Sequence, residues 1–194
     1  MGFEYEWKFR ADRQVLEAIL ASLPGQARHI TMQTTYYDTP SSQLAERRYT
    51  LRTRLENGIC VCTLKAPGIG ISRREWEVRC DRIEDGARML CKLETPTELP
   101  ALLEEGLVQV CGARFTRMAV TVPLDGCTVE LALDQGVLTG GSREIPFCEV
   151  EVELKSGSRE ACDRYAGELA RKFGLEQETK SKFRRALELR GESL

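Results

Sequence analysis

The chain has 194 residues, 42% of them hydrophobic and 30% charged, a composition that describes one folded domain with a full core and excludes disorder or collagen-like repetition. Its 28 basic and 30 acidic residues give no bulk positive field toward nucleic acid or anionic membrane, so an anionic ligand has to be held by local geometry. No run of about 18 apolar residues occurs, and the charged start Phe3-Glu4-Tyr5-Glu6-Trp7-Lys8 is unlike a secretory leader; the expectation is a cytoplasmic protein with no membrane span and no nucleic-acid partner.

In chain order, residues 3–10 alternate strictly, the period of a strand, with Phe3, Tyr5, Trp7 and Phe9 on one face and Glu4, Glu6, Lys8 and Arg10 on the other. Asp12 then caps a helix with Val15, Leu16, Ile19, Leu20 and Leu23 at helical spacing, stopped by Pro24-Gly25. Strands follow at 30–38, ending on Thr39-Pro40, at 50–56 and 59–65, joined by the hairpin signal Asn57-Gly58, and at 72–80 after Pro67-Gly68. Helical spacing returns at 83–93 and 97–106, and strands resume at 108–111, 115–123, 128–134, 136–138 and 147–155. Two helices finish the chain, 158–173 with Gly174 as its stop, and 179–190.

The glycines are assigned to turns, Tyr37-Asp38-Thr39-Pro40 to a strand end with an Asp-capped turn, and Trp7 and Trp76 to core positions on outer sheet faces. No flexible linker or solenoid-length repeat interrupts the pattern, so residues 1–194 are expected to form a single α+β domain of roughly eight antiparallel strands.

Eight cysteines are scattered through the chain and are read as reduced, mostly buried thiols. Cys60 and Cys62 form the one close pair, with no second pair at zinc-site spacing, and His29 is the sole histidine. A Cys/His metal site and a histidine-assisted nucleophile are therefore poorly supplied. Chemistry falls to carboxylates, lysines and arginines.

Those residues share strand faces. Arg52 pairs with Arg54, Thr63 with Lys65, Arg73 with Glu75 and Glu77, Glu130 with Asp134, and Glu149, Glu151 and Glu153 with Lys155. Three glutamates on one face repel at about 7 Å unless cations or a metal sit over them. One such strand is an ordinary solvated face. Five or more, with helices available to cover the apolar faces, are satisfied by an eight-stranded antiparallel β-barrel with charges inside and helices packed outside. Such a lumen suits a polyphosphate bound with a divalent cation: arginine and lysine neutralise phosphate oxygens, and carboxylates offer hard ligands to Mg2+ or Mn2+.

Glu4-Tyr5-Glu6-Trp7-Lys8 is similar to the Glu-x-Glu-x-Lys signature of the CYTH superfamily, the triphosphate tunnel metalloenzymes. Tyr37-Asp38-Thr39-Pro40, Leu51-Arg52-Thr53-Arg54, Thr63-Leu64-Lys65, Arg73-Arg74-Glu75-Trp76-Glu77, Arg117, the 130–136 run, Glu149-Val150-Glu151-Val152-Glu153 and Ser181-Lys182 resemble the family's successive blocks in order. The resemblance spans nearly the whole chain. It is strongest to the bacterial inorganic triphosphatase branch, without the helical phosphate-binding domain that some members append. It implies an eight-stranded tunnel and metal-dependent hydrolysis of tripolyphosphate to pyrophosphate and phosphate. On that resemblance Glu4 and Glu6 are catalytic and, with Glu149, Glu151 and Glu153, hold Mg2+ or Mn2+. Lys8, Arg52, Arg54, Lys65, Arg73, Arg117 and Lys182 clamp phosphate oxygens, an assignment consistent with phosphoryl transfer needing mainly positioning and charge neutralisation. Arg10, Glu75, Glu77, Glu130, Asp134 and Arg185 stand behind them and keep the long basic side chains extended.

Among alternatives, a class IV adenylate cyclase requires a purine pocket that the sequence does not display. The Thr50-Leu51-Arg52 run departs from the tryptophan that thiamine triphosphatases resembling this family place before the arginine pair. A nucleoside triphosphatase remains in view, RNA 5′-triphosphatase activity is disfavoured by the lack of a basic tail, and a non-catalytic polyphosphate-binding module has no need of Glu4 and Glu6. The partner is expected to be a small-molecule polyphosphate, and the protein a monomer, since a closed barrel has no free edge.

Overall fold

The computed structural model describes residues 2–23, 25–69 and 72–191. Among them lie ten strands: β1 Gly2–Glu4, β2 Glu6–Arg10, β3 Arg28–Asp38, β4 Thr50–Glu56, β5 Ile59–Pro67, β6 Arg73–Arg79, β7 Val108–Leu124, β8 Cys127–Gly140, β9 Arg143–Gly157 and β10 Glu176–Gln177. The helices are α1 Arg13–Ser22, α2 Gln43–Glu46, α3 Ile83–Leu90, α4 Leu99–Leu103, α5 Arg159–Phe173 and α6 Lys182–Glu188. No helix among the described residues is long and apolar enough to cross a membrane.

All strands join one antiparallel sheet in the order β1-β6-β5-β4-β3-β7-β8-β9-β2-β10. The α+β class is as expected. The strand count is ten rather than eight, and the hydrogen-bonded order runs between two edges instead of around a ring. One segment nevertheless serves both flanks: β1 pairs with β6 and β2 with β9, and only Tyr5 separates β1 from β2. The carbonyl of Tyr5 accepts from the Leu154 amide at 2.9 Å. The sheet therefore curls until β6 and β9 approach the same nine residues, and one of its faces becomes concave.

The long strands correct the sequence reading. Residues 108–124 form one strand, not two, and β8 runs unbroken through Gly136. These glycines do not mark turns. A Cβ on Gly136 would meet the Arg114 carbonyl oxygen at 2.1 Å, and one on Gly112 would meet the Thr34 carbonyl oxygen at 2.9 Å, so both answer to close backbone approach inside the sheet.

Outside, two helical layers cover the convex face. The helices α1 and α5 pack Leu16, Ile19, Ala161, Ala166 and Leu169 against Phe9, Val129, Leu131, Val150 and Val152. Asp12 caps α1 by accepting from the Val15 amide at 2.8 Å, and α5 ends on Gly174 at φ +63. On the other half Leu90, Leu99 and Leu102 cover Leu51, Leu64 and Trp76, each such buried side chain contributing about 1.5–3 kcal/mol. Asp38 accepts from the amides of Leu44 and Ala45 at 2.9 and 3.0 Å, which makes it an anchor for α2, as its turn position led one to expect. Trp76 is buried on the outer face and Trp7 donates to Asp163 of α5 at 2.7 Å.

The concave face is apolar at one end. Met32, Phe115, Gly136 and Phe147 lie in one row across β3, β7, β8 and β9, and α6 packs Phe183, Ala186 and Leu187 against that end. The rest of this face is ionic.

Candidate active site

The antiparallel registers bring the charged positions into rows. Glu6 faces Glu153, Lys8 faces Glu151 and Arg10 faces Glu149 across β2 and β9. Arg52 faces Thr63 across β4 and β5, Lys65 faces Glu75 across β5 and β6, and Arg117 faces Asp134 across β7 and β8. Period-two alternation sends these positions to the concave side, Arg10 at the strand end excepted, while their neighbours fill the outer layers.

A cleft of about 80 Å³ results, lined by Glu4, Glu6, Lys8, Tyr36, Thr50, Arg52, Arg54, Lys65, Arg73, Arg117, Glu151, Glu153, Ser181, Lys182 and Phe183. All seven sequence-predicted phosphate ligands thus lie together, with four of the five predicted metal ligands. The exception is Glu149. Its side chain is fully buried beside the cleft, bonded to the Lys182 ammonium and the Arg185 guanidinium.

Inside the cleft the charges pair with one another. Lys65 donates to both oxygens of Glu4 at 2.5 and 2.6 Å, and Lys8 to Glu6 at 3.1 Å. Arg117 grips Asp134 with two bonds of 2.7 and 2.8 Å and also reaches Glu151. Arg54 donates to Thr34 at 2.9 Å. Arg52 lies 3.7 Å from Glu75, and its buried Nε has no hydrogen-bond partner among the described residues. An orphaned guanidinium N–H in an ionic cleft is a group left for a ligand.

The residues placed behind this layer divide. Glu75 also stands 3.4 Å from Lys65, and Glu77 accepts from Thr63 at 3.0 Å. Asp134 and Arg185 hold Arg117 and Glu149 respectively. Arg10 points outward, 60% exposed, to Glu178 at 2.8 Å, and Glu130 bonds Arg28 at 2.6 Å at the rim. Sequence reasoning missed Glu178, which is buried and also lies 3.7 Å from Arg185. It missed the aromatic floor as well: the Lys182 ammonium sits 5.4 Å from the ring centroids of both Phe115 and Phe147, and Arg54 and Arg117 lie over Phe115. The pairs Phe115/Arg117 and Phe147/Glu149 were visible at same-face spacing.

The electrostatics divide the cations: neighbouring carboxylates hold Lys8 and Arg117 above their ordinary values against burial, while two arginines go the other way. Burial, then the neighbouring Arg52 and Arg117 charges, lowers Arg54 to about 10. Burial lowers Arg73 as well, against the pull of Glu4 and Glu6. Burial also raises Glu153. Burial opposes ionisation of Glu151, yet Lys182 and Arg117 hold it well below the carboxylate range. Lys182 is raised despite burial by Asp134, Glu149 and Glu151.

Two acidic groupings come into question for a metal. Oxygens of Asp134, Glu149 and Glu151 lie within 4.8 Å of one another, but Lys182 Nζ stands among them, 2.8 Å from Asp134 and 2.7 Å from Glu151. An ammonium already fills that centre. Glu4, Glu6, Glu151 and Glu153 instead face the cleft, and Glu6 lies directly opposite Glu153, a like-charge pairing that a hard divalent cation relieves with oxygen ligands alone.

The protein is thus a curled antiparallel sheet domain with guanidinium, ammonium and carboxylate groups converging on its concave side. The CYTH domain model matches residues 2–187, and the chain belongs to this family. It is 30% identical over 132 residues to the inorganic triphosphatase of Haemophilus influenzae, a match that covers 67% of this chain and 38% of that protein, so the matched part is well under half of the relative's length. The putative adenylyl cyclase HpAC1 from Hippeastrum, whose structure is described as revealing a dominant triphosphatase activity, superposes with a TM-score of 0.68 at 19% identity over 100% of this chain and 98% of that one. A putative adenylate cyclase from Bacillus halodurans gives 0.65 at 20% identity, covering 95% and 98%. At these identities the structural likeness establishes the fold.

Proposed function

We propose that this CYTH domain hydrolyses inorganic tripolyphosphate to pyrophosphate and phosphate, using Mg2+ or Mn2+. The observation carrying this reading is the make-up of one cleft: seven cationic side chains against four carboxylates. Asp134, Glu149 and Glu75 behind this layer hold Arg117, Lys182 and Lys65 extended toward the cleft, where they can exchange carboxylate for phosphate oxygens. The likeness to an inorganic triphosphatase supports the same substrate class.

Glu4, Glu6, Glu151 and Glu153 are the residues that would hold the divalent ion, which when bound draws charge from the phosphate oxygens. Glu149 is assigned to fixing Lys182 and Arg185 in place of ligating metal. Arg52, Arg54, Arg73 and Arg117 bind phosphate oxygens as planar forks, and Lys8, Lys65 and Lys182 as point charges. Glu4 or Glu6 orients the attacking water and accepts its proton, leaving the rest of the site to positioning and neutralisation. Asp134, Glu75 and Glu77 hold the basic side chains extended. Arg10, Glu130 and Arg185 brace the rim and the aromatic floor.

Phosphate release from tripolyphosphate, ATP and thiamine triphosphate, with Mg2+, Mn2+ or no metal and with cyclic AMP assayed alongside, tests the assignment. Tripolyphosphate turnover that requires metal supports it. Cyclic AMP formation, or turnover confined to an organic triphosphate, overturns it.

A further inference from the structure

We propose that Cys60 and Cys80 form a reversible intrachain disulfide on the outer face of the sheet, a modification site that takes low-molecular-weight disulfides such as oxidised glutathione. Cys60 lies in β5, and Cys80 directly follows β6. The Cys80 amide donates to the Cys60 carbonyl at 3.2 Å, one step beyond the Val61–Arg79 pair, so the two residues are opposed. Their sulfurs are 3.9 Å apart. Opposed antiparallel residues have Cα atoms about 4.5–5.5 Å apart, inside the roughly 4.4–6.8 Å that a disulfide spans.

A third thiol shares this face. Cys62 stands opposite Val78, diagonal to Cys80, and its thiol also interacts with that of Cys80, but only Cys60 is directly opposed to Cys80. Cys62 is also fully buried, sealed by Gly86 of α3, where a Cβ would come within 2.8 Å of the Cys62 sulfur. Cys60 and Cys80 keep partial exposure, next to Ile59 at 50%.

Burial raises the Cys80 thiol to about 11, with the Cys60 sulfur adding to the effect. Cys60, beside the exposed Ile59, is the residue that meets the oxidant. Its thiolate attacks one sulfur of oxidised glutathione, forming a mixed disulfide and expelling one glutathione thiolate. Cys80 then loses its proton and attacks the Cys60 sulfur, forming the intrachain bond and releasing the second glutathione. Two protein thiols are oxidised and one glutathione disulfide is reduced to two thiols. Thr63, Lys65, Glu75 and Glu77 lie on the other face, so the bond forms without entering the cleft. It closes a loop that carries those four residues.

The test is incubation of the reduced, folded protein with oxidised glutathione, followed by intact mass and peptide mapping. The expected result is the loss of two hydrogens with no retained glutathione, a link between the peptides holding Cys60 and Cys80, reversal by dithiothreitol, and a urea midpoint that rises on oxidation. Cys60→Ser should abolish the link and Cys62→Ala should keep it; should Cys60→Ser fail to fold, Cys80→Ser gives the same reading. A link that survives Cys60→Ser, glutathione retained on Cys60 without closure, or Cys60 and Cys80 both still free after oxidation would overturn the proposal.

Discussion

Glu4 and Lys65, residues of β1 and β5 with β6 between them, meet as a closed ion pair in which one ammonium binds both carboxylate oxygens, at 2.5 and 2.6 Å. Both line the cleft. In the proposed reaction, a phosphate that takes Lys65 would leave Glu4 with a free negative charge at the same site, so anion and metal binding are expected to be coupled, each strengthening the other.

Mg2+ binding measured by isothermal titration should therefore tighten at least about tenfold, near 1.4 kcal/mol, when a non-hydrolysable imidotriphosphate is present. Lys65→Ala releases Glu4 permanently and should remove most of that coupling. Independent binding in the unaltered protein would show that the pair plays no such part.

Glu4→Gln and Glu6→Gln keep side-chain shape and remove charge. Each should lower kcat for tripolyphosphate by roughly 100-fold or more, the scale of a lost general base, with tripolyphosphate binding still detectable calorimetrically. Turnover within threefold of the parent protein would exclude that glutamate from catalysis.

Arg52→Ala should lower kcat/KM by about 2 kcal/mol or more, because its Nε has no hydrogen-bond partner among the described residues and would leave phosphate charge uncompensated. Arg52→Lys should restore little, since an ammonium does not reproduce the fork. Steady-state kinetics on both variants decide the point, and an unchanged kcat/KM removes Arg52 from the clamp.

Glu149 gives stability a pH dependence. Burial, against Lys182, raises its carboxyl from 4.5 to about 7. Between those values the folded protein holds a proton that the unfolded chain has lost, so stability falls as pH rises through that window. Glu151, held low, loses its contribution only as pH falls below 4.5 through its folded value. The Glu149→Gln urea midpoint, relative to the parent protein, should therefore climb from pH 4.5 to about 7; parallel profiles would contradict the assignment.

Removal of Lys182 strands Asp134, Glu149 and Glu151 together. Lys182→Met should cost about 3–5 kcal/mol in urea unfolding, the scale of breaking a buried ionic cluster. Adding Asp134→Asn to that variant should recover part of the loss.

Much of the site was legible in the sequence because alternation in a strand fixes which side chains share a face, and Arg52, Arg54, Lys65, Glu151 and Glu153 follow from that rule alone. The resemblance to a known family supplied Lys182, which sits at the start of a helix and belongs to no strand face. Glu149 sits on the expected face yet serves Lys182 and Arg185, because which of three aligned carboxylates meets the cleft depends on where α6 docks. Gly112 and Gly136 misled: inside long strands they admit a close backbone neighbour, a constraint set by chain segments far away in sequence. The short strand β10 and the buried Glu178 carried no local pattern, since their partners Phe9, Arg10 and Arg185 are tertiary neighbours.

The change of partner at Tyr5 also bears on the order of folding. Glu4 meets Arg73 and Lys8 meets Glu151, so the amino-terminal segment is joined to strands encoded far downstream, and the second of these closures spans most of the polypeptide. Local hairpins such as β4–β5 and β7–β8 face little chain-entropy penalty and form early, whereas the loop closed by β2 on β9 is among the longest and is delayed. Glu4, Glu6 and Lys8 therefore reach their neighbours among the last, and ligand-binding competence arrives with the completion of the native topology, not before it.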